Sequence, residues 1–371
     1  MFFPIADPIP LPAPVWLFKT LHIVTLALHF LAVFMMVGGL LLATAWNFLG
    51  QRRSDSVFGE IAGSIAKKLP VVMTYLINFG VPPLLFAQVL YGQALYTSSV
   101  LIGAYWISVI FLLMAAYYLL YQMIWRNEAG RPWWLFSLLA LVLVGYIGRI
   151  YVSNMTLMLR PEVWTAMYEA SPGGAQLPTG DPTILPRFVF MVAASLGLSG
   201  AALALLGATS KQLSEQAKNF ARRMGGALGG VFTAVQLAVG VWVYRAQPTG
   251  VKDALFGSAL YKPAVLAWLA VSVLAVLGLL FVAVSKVKIV AVASALLAAV
   301  GTIAATMVRD GIRDLTLQSK GLDVWAQPIV ANWSVVILFL VLFVASIGVI
   351  GWLAKVVMSA EPVKGVKESH A

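Results

Sequence analysis

The stretch VWLFKTLHIVTLALHFLAVFMMVGGLLLATAWNFL (15–49) decides the fold, because it is apolar for longer than a bilayer is thick and Lys19 is its only charged residue. About 20 apolar residues in helical form cross the hydrocarbon core. Further stretches of the same kind follow at about 69–96, 98–125, 131–158, 184–208, 225–248, 262–285, 287–308 and 330–357, separated by charged or Gly/Pro-rich breaks. The expectation is an all-α polytopic membrane protein with about nine transmembrane helices, residues 1–371 forming one transmembrane domain. Composition agrees: 61% of residues are hydrophobic and 11% charged, against about 25% charged in soluble domains. No internal repeat stands out.

The net charge of +11 is therefore read as topology and not as a nucleic-acid surface. Lys and Arg divide 15 against 9 between the two sets of loops. The richer side is cytoplasmic by the positive-inside rule. This puts the N-terminus outside and the C-terminus inside. MFFPIADPIPLPAPVW (1–16) has neither the basic start nor the cleavage site of a signal peptide. KQLSEQAKNFARRM (211–224) reads as a short amphipathic helix on the cytoplasmic surface.

There is no cysteine. Disulfides, thiolate metal sites and haem attached through cysteines are excluded. All 14 Asp and Glu fall in loops or at the ends of the spans as read here. That argues against a proton pump, a carboxylate-gated transporter or a di-metal carboxylate site, which place such groups inside the membrane.

Of three histidines, His370 is in the tail, and His22 and His29 share the first span. Seven residues are about 700° of helical rotation and about 10.5 Å of rise, so both rings leave one face at two depths. They cannot bind opposite sides of one iron. Each could ligate a separate non-covalent haem or ion, or each could hydrogen-bond a neighbouring helix. Haem propionates favour arginine, and Arg149, Arg245, Arg309 and Arg313 stand near the outer span ends. Arg309 and Arg313 share a helical face in VRDGIRD (308–314) and could instead pair with Asp310 and Asp314. Met155 and Met158 are candidate second iron ligands or gap-filling core residues. Met191 is a further possibility of the same kind. In the second span Pro82 and Pro83 break the helical ladder and predict a kink. Gln88 and Gln93 follow, placed to bind the freed carbonyls or to line a cofactor or quinone pocket.

Three stretches carry a family resemblance: LALHFLAVFMMVGGLLLA (26–43), PVVMTYLINFGVPPLLFAQVLYG (70–92), and VSNMTLMLRPEVW with LPRFVFMVAASLGLSGA (152–164, 185–201). In order and pattern the chain resembles the larger, haem-bearing subunit of cytochrome bd-type quinol oxidases. The resemblance implies a nine-helix bundle with its N-terminus outside, and puts the family's first-helix haem ligand at His29. Other family features are missing. The fifth-helix histidine ligand is replaced by Phe190 and the third-helix glutamates have no match in VLIGAYWISVIFLLMAAYY (100–118). The quinol loop is shortened to AQPTGVKDALFGSALYK (246–262), and a late-helix glutamate ligand has no counterpart. The pattern resembles a divergent branch without the quinol loop. It implies a b-type haem subunit of a bacterial inner membrane, with His29 as an iron ligand and electrons exchanged with a periplasmic c-type cytochrome; His22 is an extra ligand candidate, for one or two haems in all. An oxygen-reducing oxidase subunit, a transporter and a cofactor-free membrane anchor are the alternatives.

Overall fold

In a computed structural model, residues 3, 9–53 and 55–359 are described; His370 lies outside them. Helices follow in the order α1 (Val15–Arg53), α2 (Ser56–Ala66), α3 (Leu69–Leu101), α4 (Gly103–Glu128), α5 (Trp134–Leu157), α6 (Trp164–Ala170), α7 (Ile184–Thr209), α8 (Glu215–Arg245), α9 (Thr249–Gly257), α10 (Tyr261–Val284), α11 (Lys288–Gln318) and α12 (Trp333–Ser359). Among the described residues nine helices are long and apolar enough to span a membrane; α2 runs on into α3, and α6 and α9 are short surface helices. No strand is found among these residues, only an isolated bridge between Leu11 and Ile329. The all-α bundle expected from hydropathy is the observed architecture.

The spans alternate in direction, so the bundle has two ends. The end where α1 begins, the proximal end, also holds the C-termini of α3, α5, α8 and α11 and the N-termini of α7 and α10. Two large apolar clusters support the bundle. One is proximal, around Phe86, Leu90, Ile150 and Met158; the other is distal, around Met36, Leu40, Leu120 and Trp133. Close packing of α7 on α8 uses small residues: a Cβ on Gly229 would come within 2.9 Å of Ala201 N. Without a hydrophobic drive between helices in lipid, such backbone approach is a main source of association.

Three local features differ from the sequence expectation. Residues 215–224 do not form a separate surface helix. They are the first turns of α8, capped by the Ser214 hydroxyl, which accepts from Ala217 N. Glu60 of α2 anchors that cap, accepting from Ser214 N at 2.6 Å and from its hydroxyl at 2.7 Å. In α3 the non-helical dihedrals are at Tyr91 (φ −130°, ψ 25°) and not at Pro82 or Pro83. Tertiary bonds hold that break: Gln327 Nε2 donates to Leu90 O at 2.8 Å. Finally, α11 runs to Gln318, ten residues past the point where hydropathy ends the span at 308. Its charged last turns are inside the bundle.

Candidate functional site

His22 and His29 face α3. The ring of His22 bonds through Nδ1 to Pro83 O and that of His29 through Nδ1 to Leu76 O, each at 2.9 Å. A carbonyl only accepts, so each neutral ring carries its proton on Nδ1 and offers a lone pair at Nε2. The two bonds are in register: seven residues forward on α1 matches seven residues back on α3. Gly80 makes room for the second ring, since a Cβ there would lie 2.9 Å from His29 Cε1.

The two Nε2 atoms differ. That of His22 accepts from Arg313 Nη2 at 2.8 Å. That of His29 has no hydrogen-bond partner among the described residues. His29 is half-buried and His22 buried.

Beside His22 is an ionic cluster joining α1, α3, α10 and α11. Lys19 Nζ donates to Asp314 Oδ2 at 2.7 Å and to the Tyr91 hydroxyl at 2.8 Å, and it also pairs with Asp310. Asp314 further accepts from Tyr261 at 2.6 Å, Tyr91 at 2.8 Å and the Trp325 indole at 3.2 Å. Arg313 pairs with Asp310, and its guanidinium carbon is 4.1 Å from the Tyr91 ring centroid. Lys19, Asp310 and Asp314 are 3%, 0% and 5% exposed. The expectation of no carboxylate inside the bundle is thus overturned. Two acids and two bases neutralise one another, which is what makes such burial tolerable. A hydropathy window counts each charge as if it faced water and so ends the helix too early.

Arg309 completes this side. It lies over the Phe30 ring at 5.6 Å, next to His29 in sequence, and its Nη1 is buried with no hydrogen-bond partner. Arg313 Nε is likewise buried and unbonded. Arg187, at the start of α7, lies within electrostatic range of Arg309.

The remaining sequence candidates do not join this group. Arg149 bonds Ser153 on its own helix, and Arg245 is exposed at the end of α8. Met158 is fully buried in the proximal apolar cluster and Met155 packs against it. Gln88 is half-buried on α3. In the sequence Asp310 and Asp314 stand out only as possible partners of Arg309 and Arg313, the pairing that Arg313 and Asp310 do make; nothing there marks Lys19, Arg187 or Tyr261 as members of this group. The one signal was VRDGIRD, whose Asp310 and Asp314 repeat at the same four-residue step as the arginines.

No three His, Asp or Glu side chains converge as a metal-binding set among the described residues. A haem iron needs only one histidine from the chain on each side. The donors at His29 fit that demand: a free Nε2, a tautomer fixed from behind by Leu76 O, and a buried guanidinium N–H of Arg309 suited to a carboxylate.

No family model and no curated protein matches this chain. Among solved structures, the bd oxidase from Geobacillus thermodenitrificans is similar with a TM-score of 0.72. The match covers 94% of this chain and 99% of that one, at 12% sequence identity. The chain has a bd oxidase-like transmembrane fold.

Proposed function

We propose that this chain is a b-type haem-binding electron-transfer subunit of a respiratory membrane complex, with His29 as an iron ligand. The observation that carries the proposal is the unbonded Nε2 of His29, whose ring is oriented by Leu76 O and flanked by Arg309, whose Nη1 has no hydrogen-bond partner. Hydrogen bonding of the far ring nitrogen fixes tautomer and ring orientation and raises ligand basicity. Arg309 and Arg313 would supply positive charge to the propionates. A bound haem would supply reversible one-electron chemistry. The rest of the chain excludes water from the proximal part of the bundle and holds these donors in place.

His22 is the ligand for a second haem only if Arg313 leaves its Nε2, so one haem at His29 is the primary reading. The proximal end faces outward in this account, and electrons pass there to or from a c-type cytochrome or another redox subunit. Arg149, Arg245, Met155, Met158 and Gln88 are further candidates at that end and rank below His29.

A second reading is a terminal oxidase subunit that reduces oxygen. The buried Asp310 and Asp314 favour it, because they supply the interior carboxylates that hydropathy left out.

The test is a reduced-minus-oxidised spectrum of the purified chain with a pyridine haemochrome assay. Bound haem b supports the proposal. Well-folded protein without haem would favour a cofactor-free anchor or a transporter. Oxygen uptake with an artificial electron donor then separates oxidase from relay.

A further inference from the structure

Half-way along the bundle, between α7, α8, α10 and α11, is a cavity of about 10 Å³. Apolar residues such as Ala194 and Leu198 form part of its wall. Four polar side chains form the rest: Thr233 and Gln236 of α8, Ser272 of α10 and Thr302 of α11. All four are buried. Thr302 spends its hydroxyl proton on Ala298 O at 3.1 Å and keeps a lone pair. Thr233, Gln236 and Ser272 make no side-chain hydrogen bond among the described residues.

This is costly in a membrane. The bilayer core has no solvent to satisfy an amide or hydroxyl, and each unsatisfied group costs several kcal/mol. A cavity of roughly 10–15 Å³ holds one water if two to four polar partners surround it. Both conditions are met here, and the partners are complementary: the Gln236 amide and two hydroxyls can donate, while Thr302 and the Gln236 carbonyl can accept.

We propose that this cavity is a binding site for one structural water, held by Gln236, Thr233, Ser272 and Thr302. It is also the inner end of a polar lane on α11. Thr302, Thr306 and Asp310 follow at four-residue steps and so share a face. The Thr306 hydroxyl donates to Thr302 O at 2.8 Å, and both Thr306 and Asp310 are buried. The eight residues from Thr302 to Asp310 rise about 12 Å. The water thus sits on the same helix face as the ionic cluster, half-way along the bundle. The inference is independent of whether haem is bound.

Crystals of the full-length protein, at a resolution that shows ordered water, test it. One peak is expected within hydrogen-bonding distance of Gln236 and at least two of the three hydroxyls. An empty cavity in such a map, or one closed by a direct bond between Gln236 and Thr302, would overturn the proposal. In Ser272→Val, whose added methyls fill the space, the peak is lost; a peak that persists there would remove these four side chains as its ligands. If Ser272→Val does not fold, Thr302→Val keeps the side-chain shape and removes the acceptor. The peak then weakens or shifts away from α11, and an unchanged peak contradicts the assignment.

Discussion

Lys19 and Asp314 are 295 residues apart in sequence, yet Nζ and Oδ2 are 2.7 Å apart in the buried proximal half of the bundle. The pair ties the first long helix to the last turns of α11. With Asp310, Arg313 and Tyr91 it forms the polar centre around which α1, α3, α10 and α11 meet.

Breaking that centre on one side leaves an uncompensated buried charge, which costs about 3–5 kcal/mol. Lys19→Met and Asp314→Leu should each lower the midpoint of thermal unfolding in detergent strongly. The double variant should be less damaged than the sum of the two, because it removes both charges together. Additive losses would show that the pair is not coupled.

Gly80 is the second structural prediction. Gly80→Ala places a methyl against the His29 ring and should cost about 1–3 kcal/mol by overpacking. Gly59→Ala, at a position with open space around its Cβ, is the matched control. Equal stability of the two variants in a denaturation series would contradict the contact.

A pH effect is expected at the proximal loop after α5. Partial burial pushes the Glu162 carboxyl up, but the hydrogen bond and charge of Lys320 outweigh it, with Arg160 adding to them, and hold the group below its ordinary 4.5. Lys320 Nζ is 2.8 Å from Glu162 Oε2 and 2.7 Å from Leu159 O. A carboxylate with a depressed folded value stabilises above its unfolded value and loses that contribution as pH falls through the folded one. Amide exchange in residues 159–171 should therefore speed up as pH falls below about 4.5, after correction for intrinsic rates. Glu162→Gln should flatten that dependence.

The proposed orientation can be read directly because the chain has no cysteine of its own. Lys252→Cys, in the proximal helix α9, should react with a membrane-impermeant thiol reagent added outside intact cells. Lys211→Cys, in the distal α7–α8 loop, should react only after the membrane is opened. The reverse pattern would invert the topology.

Much of the fold was legible in the sequence, and the reason is physical: a long apolar run in one chain has few alternatives to a membrane helix. The shared face of His22 and His29 was legible too, since seven residues is nearly two turns. Their partners were not. Pro83 and Leu76 become partners only when α1 and α3 pack antiparallel in one register, which local sequence does not encode. Asp310 and Asp314 were misplaced because hydropathy assigns a charge to water without seeing Lys19 and Arg313. Pro82 and Pro83 are the stronger local signal for a kink, yet the break is at Tyr91, because the bond from Gln327 that holds it comes from 237 residues away.

Whether His29 is an iron ligand is read from haem content, measured by the pyridine haemochrome assay in wild type, His29→Ala and His22→Ala. Haem b is expected in the wild type, with loss of one equivalent in His29→Ala and the fold retained by circular dichroism. In His22→Ala the His29-bound haem should remain. Wild-type haem content in a folded His29→Ala protein would contradict ligation by His29.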